Sequence, residues 1–212
     1  MSTGRGLLAV WMQIPERMEE EFTAWYNDEH VPERLGVPGF FGARRYLSLQ
    51  GYPKFAALYP LEDLAVLSSD DYLKLRRGGS TPWTRRIGRN LEKNIRHEYE
   101  LLAAYGTPAE AAAPNVLLVR FGSDPDREEA FVKWYQGEYL PALARVPGVQ
   151  EAKLYQATVG TPKYLAVIEL DSAGAPESAA WKDASGSAEA KQMLSLLRDV
   201  ETNLGQLILA AP

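Results

Sequence analysis

The stretch Trp25-Tyr26-Asn27-Asp28-Glu29-His30-Val31-Pro32 returns downstream as Trp134-Tyr135-Gln136-Gly137-Glu138-Tyr139-Leu140-Pro141. The offset is 109 residues (134 − 25). Held fixed, it pairs Phe22 with Phe131, Val37-Pro38-Gly39 with Val146-Pro147-Gly148, Tyr46 with Tyr155, and Pro53-Lys54 with Pro162-Lys163. It also lays Leu7-Leu8-Ala9-Val10 on Val116-Leu117-Leu118-Val119. An ungapped register from about residue 7 to residue 62 marks an internal duplication, and every other reading follows from it.

The duplication separates scaffold from chemistry within one chain. Positions that agree between the copies, such as Trp25, Tyr26, Glu29, Pro32 and Gly39, are what the shared fold needs. The sharpest chemical difference is His30, which is Tyr139 in the second copy. A fold that accepts Tyr there does not need His for packing, so His30 leads the candidates for function.

Each copy carries the same succession of patterns. In the first, Leu7 to Ile14 is an apolar strand ended by Pro15. Acidic Glu16, Glu19, Glu20 and Glu21 then open a helix, as its dipole favours. Phe22, Trp25, Tyr26 and Glu29 lie on one helical face, closed by Pro32 and Gly36-Val37-Pro38-Gly39. Strands are expected at 40–49 and 54–59, a short helix from Leu61 with a loop at Arg76-Arg77-Gly78-Gly79, and a final strand at 97–105. Thr81-Pro82 starts a further helix with Trp83, Ile87, Leu91 and Ile95 on one stripe. The second copy repeats the order, with strands at 115–122, 149–158, 162–170 and 204–211, a helix at 125–143 and another around Met193, Leu194, Leu197 and Val200. This is the split βαβ pattern of a ferredoxin-like unit, whose four-stranded sheet has one face bare. Two tandem units, 1–105 and 115–212, joined by the linker 106–114, hide their bare faces against each other and form an α+β barrel within one chain.

Composition narrows the function classes. The 212 residues are 46% hydrophobic and 24% charged, which suits two packed units and not a disordered chain. A formal charge of −5 argues against a duplex nucleic-acid partner. There is no run of eighteen apolar residues and no charged-then-apolar leader, so no membrane partner and a cytoplasmic location are expected. With no Cys, thiolate nucleophiles and Cys-ligated metals are excluded. Exposed sheet edges make a homodimer reasonable.

Trp25-Tyr26-x-x-Glu29-His30-x-Pro32, followed by Val37-Pro38-Gly39-Phe40 and Ala43-Arg44-Arg45-Tyr46, resembles the EthD-like members of the dimeric α/β-barrel superfamily. The resemblance is strong over 7–62, weaker over 63–105, and returns in degraded form over 115–171. It implies a small-molecule pocket between sheet and helices with His30 reaching into it. It also implies a chemistry drawn from decarboxylases, dehydratases, isomerases, cyclases, cofactor-free monooxygenases or haem proteins. Haem would engage His30 or His97 by analogy. The second copy departs from the pattern at Gly137 and Tyr139, and its pocket is expected to be degenerate.

On the residues themselves, His30 suits proton transfer near neutrality. Asp28, which is Gly137 in the second copy, and Glu29 are candidates to orient its ring. Glu29 has a second reading, a structural role, because Glu138 repeats it. Tyr26 shares a helix face with His30. Arg45 aligns with Leu154 and is the strand arginine expected to point inward, whereas Arg44 aligns with Lys153 and reads as solvated. Tyr46, shared with Tyr155, reads as core and completes the candidate pocket with Tyr26, Arg45, Trp83 and Arg86. The basic run from Arg76 to Arg96 is either a solvated helix face or a cationic lid over an acidic substrate, with Trp83 stacking on a ring. No metal set is legible, and the reading that needs no cofactor is acid/base chemistry on a small aromatic or polyketide-like molecule.

Overall fold

The computed structural model describes residues 4–78, 81–107 and 111–212. The first repeat runs β1 (Gly6–Gln13), α1 (Glu19–Trp25), a π-helical turn (Tyr26–His30), α2 (Val31–Leu35), β2 (Ala43–Gln50), β3 (Phe55–Leu61), α3 (Asp70–Gly78), α4 (Pro82–Asn90) and β4 (Lys93–Gly106). The second runs β5 (Asn115–Ser123), α5 (Glu128–Trp134), a π-helical turn (Tyr135–Tyr139), α6 (Leu140–Ala144), β6 (Val149–Val159), β7 (Tyr164–Leu170), α7 (Ala179–Gly186), α8 (Ala188–Leu194) and β8 (Leu197–Ala211). Short 3₁₀ segments precede α1, α3, α5 and α7.

All eight strands close into one antiparallel barrel in the order β1-β3-β2-β8-β5-β7-β6-β4. Within each repeat the outer strands of the four are the second and the last, and these form the two seams: β2 pairs with β8, and β4 with β6. The fold is therefore the ferredoxin-like, dimeric-type α/β barrel, made from two halves of one chain. Because the sheet closes, it leaves no edge strand for pairing, so the edge argument for a homodimer falls away.

Alternation along the strands sorts residues into the barrel or under the helices. Leu7, Ala9, Trp11, Tyr46, Leu58, Tyr99, Val116, Leu118, Tyr155 and Val167 fill the interior. Leu8, Met12, Ala43, Phe55, Ala57 and Tyr59 face outward and are covered by the helices of the first repeat, with Phe22, Trp25, Tyr26 and Ile87. The second repeat has a matching outer core around Phe121, Phe131, Trp134, Leu154 and Ile168. Strands β3 and β7 are covered on both faces and read as near-continuous apolar runs. Gly39 and Gly148 close the two equivalent turns with φ of +94° and +90°, a conformation costly for other residues.

Several boundaries differ from the periodicity reading. β4 begins at Lys93 and β8 at Leu197, so Ile95, Leu197 and Val200 are strand residues. In β1 and β4, Trp11 faces Ile95; in β5 and β8, Ser123 faces Leu197. Long-range pairing outweighs the local 3.6-residue stripe at both places. α3 runs through Arg76 to Gly78, where a loop was expected; Gly79 and residues 108–110 of the linker lie outside the described residues. Arg44 is not solvated. It points into the barrel and pairs with Glu169 of the other repeat, which Lys153 also approaches at 3.6 Å. Among the described residues no helix is long and apolar enough to cross a membrane.

Candidate functional site

The site is built on the π-helical turn. α1 delivers Trp25 and Tyr26 in α geometry, and the extra residue of the π turn then places His30 back over both rings. The His30 imidazole lies 4.4 Å from the Trp25 ring and 4.9 Å from the Tyr26 ring, centroid to centroid. In a regular α-helix, residues five apart would point about 140° apart around the axis, so this stacking depends on the π turn. The second repeat has the same turn, with Tyr139 stacked on Trp134 at 5.1 Å.

Burial and two cations hold His30 neutral. Its pKa is well below the ordinary imidazole value, first because it is desolvated, then because Arg34 and Arg45 disfavour a third positive charge. Its Nδ1 is buried with no hydrogen-bond partner. Arg45 comes from β2 on the helix-covered face, and its guanidinium sits 4.1 Å from the Tyr26 centroid. Nη1 of Arg45 donates to Asn27 Oδ1 at 2.6 Å, whereas Nη2 is buried without a partner. Burial lowers the Arg45 pKa. Arg34, one α-helical turn after His30, lies over Tyr72 at 5.5 Å and has a buried, unpartnered Nη1. Tyr59 Oη donates to Tyr26 Oη at 3.2 Å, and burial raises both phenols above their usual range. Three buried nitrogens without partners thus surround one hydrogen-bonded tyrosine pair. Buried polar groups are ordinarily paired, so such a concentration marks a place prepared for a polar ligand, with the two guanidinium nitrogens as donors.

The expected site residues divide. His30, Tyr26 and Arg45 are brought together. Glu29 is not an orienter of His30: its Oε1 accepts from Trp25 Nε1 at 3.0 Å, Thr81 Oγ1 at 2.6 Å and Thr84 Oγ1 at 2.7 Å. Burial pushes this carboxyl up, but the three donors outweigh it and hold the pKa below the usual value. Glu29 thereby fastens α4 to α1, as Thr81 also caps α4 by accepting from the Thr84 N–H. Glu138 is exposed and does not repeat that role. Asp28 is exposed and borders an open groove with Glu19 and Lys54, and among the described residues it makes no hydrogen bond to the imidazole. Arg86 is committed to Glu21 in a two-point ion pair at 2.7 and 3.2 Å on the exposed face of α4, and Trp83 hydrogen-bonds the same carboxylate. Tyr46 is on the opposite face of β2 from Arg45, inside the barrel beside Arg44.

Arg34, Tyr59, Tyr72 and Asn27 were not singled out from the sequence. The signal was the same one that revealed His30: at the 109-residue offset Arg34 becomes Leu143 and Tyr59 becomes Ile168.

Neither histidine fits an axial haem ligand. His97 faces the barrel interior, shares a 2.8 Å hydrogen bond between Nδ1 and Tyr99 Oη, and meets Trp11 edge-on at 5.9 Å. Gly160, with φ of +115°, closes over it so tightly that a Cβ there would lie 2.2 Å from His97 Cδ2. His30 packs on Trp25 and Tyr26 and faces the cations Arg34 and Arg45, which disfavour a metal ion at its ring. Among the described residues no group of three or more His, Asp or Glu side chains is placed to hold a metal ion.

No family model matches the chain. It is 29% identical over 185 residues to core atranone cluster protein 1 of Stachybotrys chlorohalonatus, covering 74% of this chain and 77% of that protein. Its fold is similar to that of a candidate monooxygenase of Fusobacterium nucleatum subsp. nucleatum (TM-score 0.71, 12% identity, 99% of this chain and 95% of that one). It is also similar to an anthrone oxidase-like protein (TM-score 0.70, 10% identity, 99% and 93%). The likenesses to the solved structures show the fold, an α+β barrel of the dimeric type, over nearly the whole chain.

Proposed function

We propose that the first repeat is an EthD-like enzyme that transfers protons on a small enolisable or phenolic ring without a cofactor. The observation that carries this reading is the trio of unpartnered buried nitrogens, His30 Nδ1, Arg45 Nη2 and Arg34 Nη1, around Tyr26 and Tyr59. An imidazole kept neutral accepts a proton at Nδ1. The negative charge left on the substrate oxygen falls to Arg45 and Arg34, neither of which forms a direct ion pair with a carboxylate among the described residues, and to the Tyr26 hydroxyl. Because Tyr59 donates to Tyr26, the Tyr26 hydrogen is free to point at that oxygen. Such charge-matched donors are the main source of rate enhancement where an enolate or phenolate develops. Elimination, isomerisation and ring closure all begin with this deprotonation, so the geometry supports the step and leaves its sequel to the substrate.

A second reading shares the first step. The names of the structural neighbours fit a carbanion that reacts with dioxygen, as a cofactor-free monooxygenase would require. A third, a container that binds without turnover, is separated by the same experiment. Anthrone serves as the probe: proton–deuterium exchange at its acidic carbon is followed by NMR without oxygen, and oxygen uptake is then followed in air. Exchange is expected to fall by about 10²–10⁴-fold in His30→Gln and to survive in Tyr139→Phe. Binding without exchange in the wild type would establish the container; unchanged exchange in His30→Gln would remove His30 from the chemistry.

A further inference from the structure

The second repeat has replaced Arg34, Arg45 and Tyr59 of the first by Leu143, Leu154 and Ile168, and His30 by Tyr139, and beside these residues it holds a pocket. Tyr139, Leu143 and Ile168, the counterparts of His30, Arg34 and Tyr59, all line a pocket of about 350 Å³ that opens to solvent at one side. Phe121, Tyr135 and Trp181 add aromatic walls. Leu154, which stands where Arg45 is in the first repeat, is fully buried in the same outer core. Three apolar substitutions at equivalent points would ordinarily let the covering helices close onto the sheet, since apolar surface left open to water is costly. Here the walls stay apart, and the volume falls in the range of small-molecule sites.

We propose that this cavity is a second binding site, for a neutral, largely apolar ring molecule of two or three fused rings bearing one hydroxyl or keto group. The chemistry of the walls selects for neutrality. The one carboxylate on the rim, Glu177, is exposed and lies 3.5 Å from Lys182, and no cation faces inward from the lining. The polar handle is Tyr139, whose hydroxyl shares a 3.0 Å hydrogen bond with Ser185 Oγ and has capacity for one more partner. Gln50 at the end of β2 reaches across the seam to the same cavity, so the first repeat supplies part of its mouth. The site binds and does not catalyse, because its one carboxylate, Glu177, sits exposed on the rim beside Lys182 and no histidine or arginine among the described residues lines the walls. It stands independently of the chemistry assigned to His30.

The test uses the uncharged fluorophore N-phenyl-1-naphthylamine with the full-length protein. Saturable binding of one equivalent is expected, with energy transfer from Trp181 on excitation of tryptophan. Ala173→Phe and Leu143→Phe, which fill the space from two different walls, should each weaken binding at least tenfold. His30→Gln should leave it within twofold. Trp181→Phe, a conservative change, should lower the transfer signal while saturation persists, and this readout does not depend on the filling variants folding. Unaltered affinity in both filling variants, loss of binding in His30→Gln, or transfer undiminished in Trp181→Phe would each overturn the assignment. So would the absence of saturable binding to the wild type.

Discussion

Arg44 and Arg45 are adjacent in sequence and opposite in circumstance, so replacing each by leucine is a paired test of the site. Arg45 is 1% exposed on the helix-covered side of β2, with one hydrogen bond to Asn27, a tyrosine face and no carboxylate. Keeping a lone guanidinium there costs several kcal/mol of desolvation. Leu at this position is already tested by the duplication, since Leu154 packs fully buried at the equivalent site. The substitution loses a charge-assisted hydrogen bond of about 1.5–3 kcal/mol and a cation–π contact of about 2 kcal/mol. It gains relief of the desolvation and about 1.5–3 kcal/mol of apolar burial. The half-buried Asn27 amide can turn to water. We expect Arg45→Leu to stabilise the protein by about 1–2 kcal/mol, a rise of roughly 2–8 °C in Tm for a chain of this size, while removing the proposed activity. That is the signature of a residue held at a cost for function.

Arg44→Leu should do the reverse. It strands Glu169 inside the barrel with only the more distant Lys153, at a cost of about 2–4 kcal/mol. Both variants are read by urea denaturation followed through tryptophan fluorescence and far-UV circular dichroism. If Arg45→Leu loses more than about 1 kcal/mol, the guanidinium is a structural tie between β2 and the π turn, and the reasoning that makes it a substrate group fails.

The remaining expectations concern protons and fit. With only two histidines in the chain, the His30 ring can be followed directly by NMR, and it should still be neutral at pH 6. Its folded pKa lies below the unfolded value of about 6.5, so its contribution to stability is complete above that value and is lost as pH falls below it. His30→Gln should therefore flatten the acid limb of a stability–pH curve, and an unchanged limb would contradict the burial described. Glu29→Ala should cost about 2 kcal/mol at pH 7 through three lost acceptor contacts. That penalty should shrink as pH falls through the depressed carboxyl pKa, since protonation already weakens the wild type there. Gly160→Ala combines a strained φ with a Cβ 2.2 Å from His97 and should destabilise by about 3 kcal/mol. Adding His97→Ala should recover part of the loss, and no recovery would mean that the backbone strain alone is responsible.

The duplication made the fold legible because each repeat was a control for the other. Positions common to both copies, Trp25, Tyr26 and Gly39, proved to be core and turn residues, and the divergent His30 proved to be stacked and unpartnered. Three things escaped. The π turn has no periodicity signature, since it shifts one residue within an otherwise helical pattern. Glu29 looked like shared scaffold, but its partners Thr81 and Thr84 lie on α4, more than fifty residues away, and a local spacing carries no trace of them. Arg44 was read as solvated because a lysine aligns with it. In a closed barrel the two cations meet over one carboxylate at the centre, a contact that exists only once both seams have formed.

The architecture explains why the two copies could diverge so far. The interior is common property: Arg44 binds Glu169 of the other repeat, and Arg120 of the second repeat lies 4.2 Å over Trp11 of the first. A change there disturbs both halves, and the interior has kept Tyr46 and Tyr155 at equivalent points. The outer faces share much less. The helices of each repeat cover mainly their own sheet, and only seam residues such as Leu102, Ala103, Leu209 and Ala211 cross over, so His30, Arg34, Arg45 and Tyr59 could be lost from one copy without unsettling the other. A dimer of identical single units must carry every polar group twice, each with its desolvation cost. A tandem chain can confine that cost to one face and leave the other apolar. On this argument the stable half is the second, and hydrogen exchange should show slower opening for α5 and α6 than for α1 and α2. The reverse order would mean that the cations around His30 are not a burden on the first repeat at all.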